Sequence, residues 1–326
     1  MNVPPSDGRR VPAEALRELV RGIFAAVPLP PDHARLIADL LIDTELRGVV
    51  SHGMANVARY VHSFQQGRTN PTPEIRVLHE GPVTAALSGD GGLGMIVATR
   101  AMEMAIAKAR SLGVGVVTTT YHDHLGSSGK YVRLALRQGL IGISLSGRNA
   151  APEYDVEATI HGSIQGSPPL AFGMPASEGR PAFLLDMASH TPWDEDCFRR
   201  MPQVFLKAIG ISHVANLLSG TLGGQMLPEF DRRQVAFQGA DQSGFHLALE
   251  ITRFTSLSAF QADVDRLMTE TSRMKPLPGL AESTLPGARA WQKEREYLVE
   301  GIPIGAGPLA ELEGLAAEFG LSVPWR

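Results

Sequence analysis

The sequence lacks most of the features that would mark it for a membrane, a secreted scaffold or nucleic acid. One cysteine, Cys197, stands among 326 residues, so no internal disulfide can form and no zinc cluster can be built on thiols. A lone thiol fits a reducing compartment, and the expected location is the cytoplasm. Met1 to Arg10 is polar and proline-bearing, without the apolar core of a signal peptide. No apolar run approaches the length of about 18 residues that spans a bilayer. Excess charge of one sign is missing as well: 30 Lys and Arg against 34 Asp and Glu leave a net charge of -4, which gives no basic footprint for nucleic acid. Internal repeats and low-complexity segments are absent.

What is present is ordinary globular composition, 44% hydrophobic and 20% charged, in a chain long enough for two modest domains or one large one. A small molecule is the default partner. Pro12 opens a helical stripe of Leu16, Leu19, Val20, Ile23, Phe24 and Val27. A second helix is predicted from Pro31 to near Gly48, and a third through Val57, Tyr60, Val61 and Phe64, closed by Gly67. From Pro82 the pattern changes to strand (83–87), helix (95–112) and strand (114–120), a βαβ unit. A helix near 131–138 and a strand at 141–145 follow. Later strands are predicted at 182–186 and 245–249, later helices at 207–218 and 259–271, and a linker at 275–286.

Three short motifs carry candidate chemistry. Gly89-x-Gly91-x-x-Gly94 follows a predicted strand and opens a helix, the context of a dinucleotide-binding glycine loop. Asp90 would oppose a phosphate there, and the next strand ends in Thr118, Thr119 and Thr120 rather than an acidic ribose reader. An ordinary strand-to-helix turn is the competing reading. His122-Asp123-His124 places two imidazoles at a strand end, as in metal hydrolases. His161, His190, Asp194 and Asp196 would have to complete the ligand set, and none has metal-like spacing, so no metal is expected. Ser51-His52-Gly53 lies at a helix junction. A histidine titrating near neutrality can exchange the proton that accompanies hydride transfer at a carbonyl, and Ser51 can bond the imidazole or the substrate oxygen. Helix capping is the plain alternative.

The order of these segments resembles the type 2 malate/L-lactate dehydrogenase family, which includes ureidoglycolate, sulfolactate and diketogulonate dehydrogenases and piperideine-carboxylate reductases. The resemblance runs from Arg47-Gly48-Val49-Val50-Ser51-His52-Gly53 and Tyr60, through Gly94 and Gly113-Val114-Gly115-Val116-Val117, to His124-Leu125-Gly126-Ser127-Ser128-Gly129-Lys130-Tyr131. It continues with Pro169-Leu170-Ala171-Phe172, Leu185-Asp186-Met187-Ala188, Lys207-Ala208-Ile209-Gly210, Leu285-Pro286-Gly287 and Glu300-Gly301-Ile302-Pro303. It implies an α/β fold with a non-Rossmann, mixed-sheet cofactor domain (76–279) packed with a helical domain (1–75, completed by 280–326). It also implies a homodimer with no nucleic-acid or membrane partner, and hydride transfer between NAD or NADP and a small 2-oxo, 2-hydroxy or 2-imino acid. By the same likeness Gly89 to Gly94 form a structural turn. The cofactor is held by His124, Gly126, Ser127, Ser128, Asp186, Met187, Ala188, Lys207, Pro286 and Gly287. His52 is the proton donor and acceptor with Ser51 and Asp186 as partners, while in the ureidoglycolate branch the acid/base role goes to the histidine matching His124.

The chain departs from the family at the substrate. An arginine commonly follows the Ser-His-Gly glycine by three residues, where it clamps a carboxylate with two hydrogen bonds. Asn56 stands there instead, with Arg59, Arg148 and Lys130 as the available cations and Ser167 as a further substrate contact. Gly-Thr-Asn-Pro becomes Gly166-Ser167-Pro168-Pro169, the Glu after Pro-Gly becomes Ala288, and the segment between Asp186 and Lys207 is short. These changes motivate a second reading, a catalytically weakened relative that binds a metabolite.

Overall fold

A computed structural model describes residues 5, 8–148, 155–164, 168–189, 195–231 and 234–325. Its contacts divide the chain into two compact units, one of Met1–Pro73, Ala176–Phe183 and Ser258–Arg326, the other of Glu74–Pro175 and Leu184–Leu257.

The first unit is helical. Pro12 caps α1 (Ala13–Ala25) and Pro30 precedes α2 (Pro31–Leu46), each proline placed where a helix has no use for its N–H. The apolar stripe read from the sequence is buried: Leu16, Val20, Ile23 and Phe24 of α1 pack with Ile37, Leu40 and Leu41 of α2. Helix α3 (Val57–Gln65) buries Tyr60, Val61 and Phe64 against α1 and α10 (Ala306–Glu318). Helices α8 (Leu257–Thr271) and α9 (Ala288–Glu300) complete the unit. A two-stranded ribbon, β1 (Arg9–Val11) antiparallel to β9 (Ile302–Ile304), is too short to show a periodicity in the sequence.

The second unit is built on a seven-stranded mixed sheet of order β2-β3-β4-β8-β5-β6-β7. Its strands are β2 (Arg76–Glu80), β3 (Thr84–Ser88), β4 (Val114–His122), β5 (Ile141–Arg148), β6 (Pro169–Met174), β7 (Phe183–Ala188) and β8 (Gln242–Leu249). The β3-α4-β4 unit is parallel, with α4 spanning Gly94–Leu112, as the strand, helix, strand pattern predicts. The alternation then breaks. β8 returns from late in the chain to lie antiparallel between β4 and β5, so the sheet is not doubly wound.

Strand register explains the small residues. Gly115, Val117 and Thr119 of β4 align with Ala248, His246 and Gly244 of β8, and these with Gly142, Ser144 and Ser146 of β5. Helix α4 presses onto this face so closely that the Ala105 carbonyl occupies the place of a Gly115 side chain, Val132 of α5 (Gly129–Leu136) does the same at Gly173, and Ala135 and Val132 fit tightly over Gly142. The opposite face is apolar, with Leu145, Leu170 and Phe245 packed among Ile143, Phe172 and Leu247. Helix α7 (Pro202–Asn216) follows the short α6 (Glu195–Arg200).

Candidate active site

In the helical unit, α2 ends at Leu46 and the chain turns through two short 3-10 segments, Val50–His52 and Met54–Asn56. Ser51 Oγ lies 2.8 Å from His52 Nδ1. Two buried side chains hold this turn. Asn56 donates its amide to the Ser51 carbonyl at 2.8 Å, and Glu45 accepts the Met54 N–H at 2.6 Å. Gly53 is required by packing, because the Glu45 carboxylate fills the space its Cβ would take. Burial pushes the Glu45 carboxyl up to about 7, with the Met54 N–H opposing. Beside it Arg47, nearly buried, pairs with Asp43 at 2.8 Å and Glu294 at 2.7 Å. Arg59 is exposed, with its guanidinium 4.9 Å from the centre of the Tyr60 ring.

In the sheet unit, β4 ends in a kink at Tyr121, whose φ of 52° is left-handed. His122 then points inward, fully buried, with Nε2 2.9 Å from Thr119 Oγ1 and Nδ1 2.7 Å from the Asp123 carbonyl. A carbonyl can only accept, so Nδ1 carries the proton and Thr119 donates to Nε2. Desolvation lowers the His122 pKa to about 4, against the opposing pull of the Asp123 carbonyl and Asp241. Both nitrogens being engaged inside the protein, the metal-hydrolase reading loses its first ligand. Among the described residues no three or more His, Cys, Asp or Glu side chains group to hold a metal. His190 and Asp194 lie outside those residues.

The loop after His122 gathers several of the residues singled out in the sequence. The His124 N–H bonds Asp123 Oδ1 at 2.6 Å, Gly126 takes a left-handed φ of 78°, and the Lys130 ammonium lodges where a Gly126 side chain would stand. Ser127 and Ser128 are buried, and Ser128 Oγ, at the head of α5, has no hydrogen-bond partner among the described residues. Asp186 Oδ2 accepts the Gly129 N–H at 2.9 Å, tying β7 to the first turn of α5. Desolvation raises the Asp186 carboxyl, while Gly129, Arg133 and Lys130 pull it down.

The remaining predicted residues lie on other elements. Met187 and Ala188 are exposed at the end of β7, and Lys207 is exposed on α7. The Arg148 N–H bonds Asn216 Oδ1 at 3.1 Å. Exposed Pro286 and the left-handed Gly287 open α9 in the helical unit. Ser167 lies outside the described residues.

The Gly89 to Gly94 turn is filled by protein. Side chains at Gly89 and Gly94 would meet His122 and the Asp123 carbonyl, and one at Gly91 would meet Phe237. Small residues are needed here so that the β3-α4 turn can approach the 121–125 backbone, which accounts for the fingerprint without a phosphate.

Fold and site together define an α/β protein with a mixed, non-Rossmann sheet, a Ser-His turn on a helical scaffold, and a serine-bearing loop at a helix N-terminus. The malate/L-lactate dehydrogenase family model matches residues 11–191, and the chain belongs to that family. Malate dehydrogenase of Pyrococcus horikoshii is 29% identical over 96% of this chain and 96% of its own. Ureidoglycolate dehydrogenase (NAD(+)) of Escherichia coli is 28% identical over 90% of this chain and 92% of its own. The solved structure of the Pyrococcus horikoshii malate dehydrogenase is similar with a TM-score of 0.84 and 28% identity, covering 98% of each chain. The chain is thus an NAD(P)-dependent oxidoreductase of the malate/L-lactate dehydrogenase type.

Each unit also buries an ionisable residue that the sequence reading passed over. Glu45 of the helical unit sits inside an amphipathic helix as one more charged residue, and nothing in its spacing marks it as buried. His246 of the sheet unit, buried with Nδ1 3.2 Å from Ser144 Oγ, is hidden by an ordinary strand pattern.

Proposed function

We propose that His52 exchanges the proton with the oxygen or nitrogen on carbon 2 of a small 2-oxo, 2-hydroxy or 2-imino acid. The observation that carries this reading is the 2.8 Å contact between Ser51 Oγ and His52 Nδ1 in a turn clamped by Glu45 and Asn56. With Nδ1 oriented by the serine, Nε2 is the atom assigned to proton exchange. A bound nicotinamide supplies the hydride at carbon 2. The loop 124–131 is assigned to hold it. A buried, orphaned Ser128 hydroxyl at a helix N-terminus fits a polar cofactor group, because buried hydroxyls are otherwise nearly always satisfied.

Asn56 spends its amide on Ser51, so the substrate carboxylate is assigned to a different group. Arg59 stands one helical turn beyond Asn56 and is the cation chosen here, since Lys130 is an internal charge acting on Asp186. The protein is further proposed to be a homodimer in the cytoplasm. The exposed apolar residues Val204, Leu206, Ile211 and Val214 of α7 support the dimer, and the lone Cys197 supports the reducing compartment.

The test is turnover of NADH and NADPH with a panel of small 2-oxo acids by wild type, His52→Ala and His124→Ala. His52→Ala should lower kcat by about 10²- to 10⁴-fold while cofactor binding, read by dihydronicotinamide fluorescence, is unchanged. Undiminished turnover in that variant with loss in His124→Ala would move the acid/base role to His124.

A further inference from the structure

We infer that Glu45 is a positioning residue for His52, its carboxylate seated in the space left by Gly53 and bonded to the Met54 N–H so as to fix the turn that carries the imidazole. The inference rests on the reading of His52 as the acid/base. His52 stands between two anchored peptide groups, the Ser51 carbonyl held by Asn56 and the Met54 N–H held by Glu45. The Asn56 anchor is local, five residues from its partner in one turn. The Glu45 anchor ties the turn to α2, a helix buried against α1 and α9. It is therefore the bond that sets the turn relative to a rigid element, and Gly53 is the residue that lets the carboxylate come so close.

A buried carboxylate is an expensive choice for a purely structural contact. Only 3% of Glu45 is exposed, it faces Tyr297 of α9, and desolvation raises its carboxyl. An apolar side chain there would pack at lower cost. What an apolar side chain cannot do is accept the Met54 N–H at 2.6 Å with a strong, directional bond. Catalytic geometry is sensitive to such bonds, since a shift of about 1 Å in a reacting group can cost about 10²-fold in rate.

The experiment compares Glu45→Gln, which keeps an acceptor oxygen, with Glu45→Leu, which keeps the bulk and removes it. Glu45→Leu should lower kcat by about 10²-fold with cofactor binding unchanged. Glu45→Gln should recover kcat to within a few-fold. The Cε1–H resonance of His52 should shift in Glu45→Leu and stay in place in Glu45→Gln, a readout that does not depend on turnover. Should Glu45→Leu fail to fold, Gly53→Ala displaces the same carboxylate and should produce the same loss of kcat and the same resonance shift. A folded Glu45→Leu with wild-type kcat and an unmoved His52 resonance overturns the inference, while an inactive His52→Ala in the same series leaves the acid/base reading standing. Wild-type turnover in His52→Ala overturns that reading itself.

Discussion

Asn56 shows how the fold adds a structural role to a residue first singled out by its position in a motif. Its place, three residues after Gly53, marks it as a substrate contact. In the fold it is buried and bonded to the Ser51 carbonyl, so its amide also serves the turn. On the proposal that Arg59 holds the carboxylate, Arg59→Ala is expected to raise the KM for a 2-oxo acid by about 10-fold or more with kcat little changed, the pattern of lost ground-state binding. Steady-state kinetics across substrate concentrations checks it. Unchanged KM would leave the carboxylate to another group. The Ser-His pair itself was legible, because adjacent residues stay adjacent whatever the fold. Glu45 was not, because it reaches Met54 across nine positions and through a change of element.

Among elements, the seam between α4, α5 and the sheet depends on what is missing from the strands. Gly115 and Gly142 sit in register on one face, Gly115 under the α4 backbone with no room for a methyl group and Gly142 under α5 with a tight fit. Gly115→Ala should push α4 off β4 at the Ala105 carbonyl and destabilise the sheet unit by about 1–3 kcal/mol, seen as a lower urea midpoint. Gly314→Ala, in open space on α10, should be neutral or slightly stabilising, since alanine is the better helix former. If the two glycines respond alike, close packing is not the reason for Gly115. Helices α1 to α5, α7 and α8 were readable from their stripes, and so was the parallel β3-α4-β4 unit, whereas α6, α9 and α10 were not delimited. Strand β2 was not, since it is exposed along most of its length and shows little hydrophobic alternation.

At the scale of the molecule, three buried ionisable groups make stability depend on pH in opposite directions. The Glu45 carboxyl titrates near 7 in the folded chain and near 4.5 unfolded. Its contribution is therefore present below pH 4.5 and is lost as pH rises through 7, on the order of 3 kcal/mol. His122 and His246 are lowered to about 4 and about 3, His122 by burial and His246 by burial and then by His122, from 6.5. Their contribution is present above pH 6.5 and is lost as pH falls through 4. Unfolding should accordingly be easiest at both ends of the range from pH 3 to 8. Urea titrations at closely spaced pH should show Glu45→Gln flattening the alkaline slope and His246→Leu the acid one, whatever each does to absolute stability. A slope unchanged by either substitution would mean the group is solvated. The exposed apolar face of α7 belongs to the same scale, and sedimentation of wild type against Val204→Glu should show a dimer become monomer.

The order of apolar stripes, the caps and the short motifs determined most helices, most strands, the family and the candidate histidine, because each is written in residues close together along the chain. Tertiary structure alone decided that β8 enters between β4 and β5, that His122 and His246 lie in the core, that the space around a glycine fingerprint is filled by His122, Asp123 and Phe237, and that Glu45 lies under the Ser-His turn. Those outcomes depend on which distant segments exclude water from one another, and burial of that kind is a property of the assembled chain, with no counterpart in local spacing.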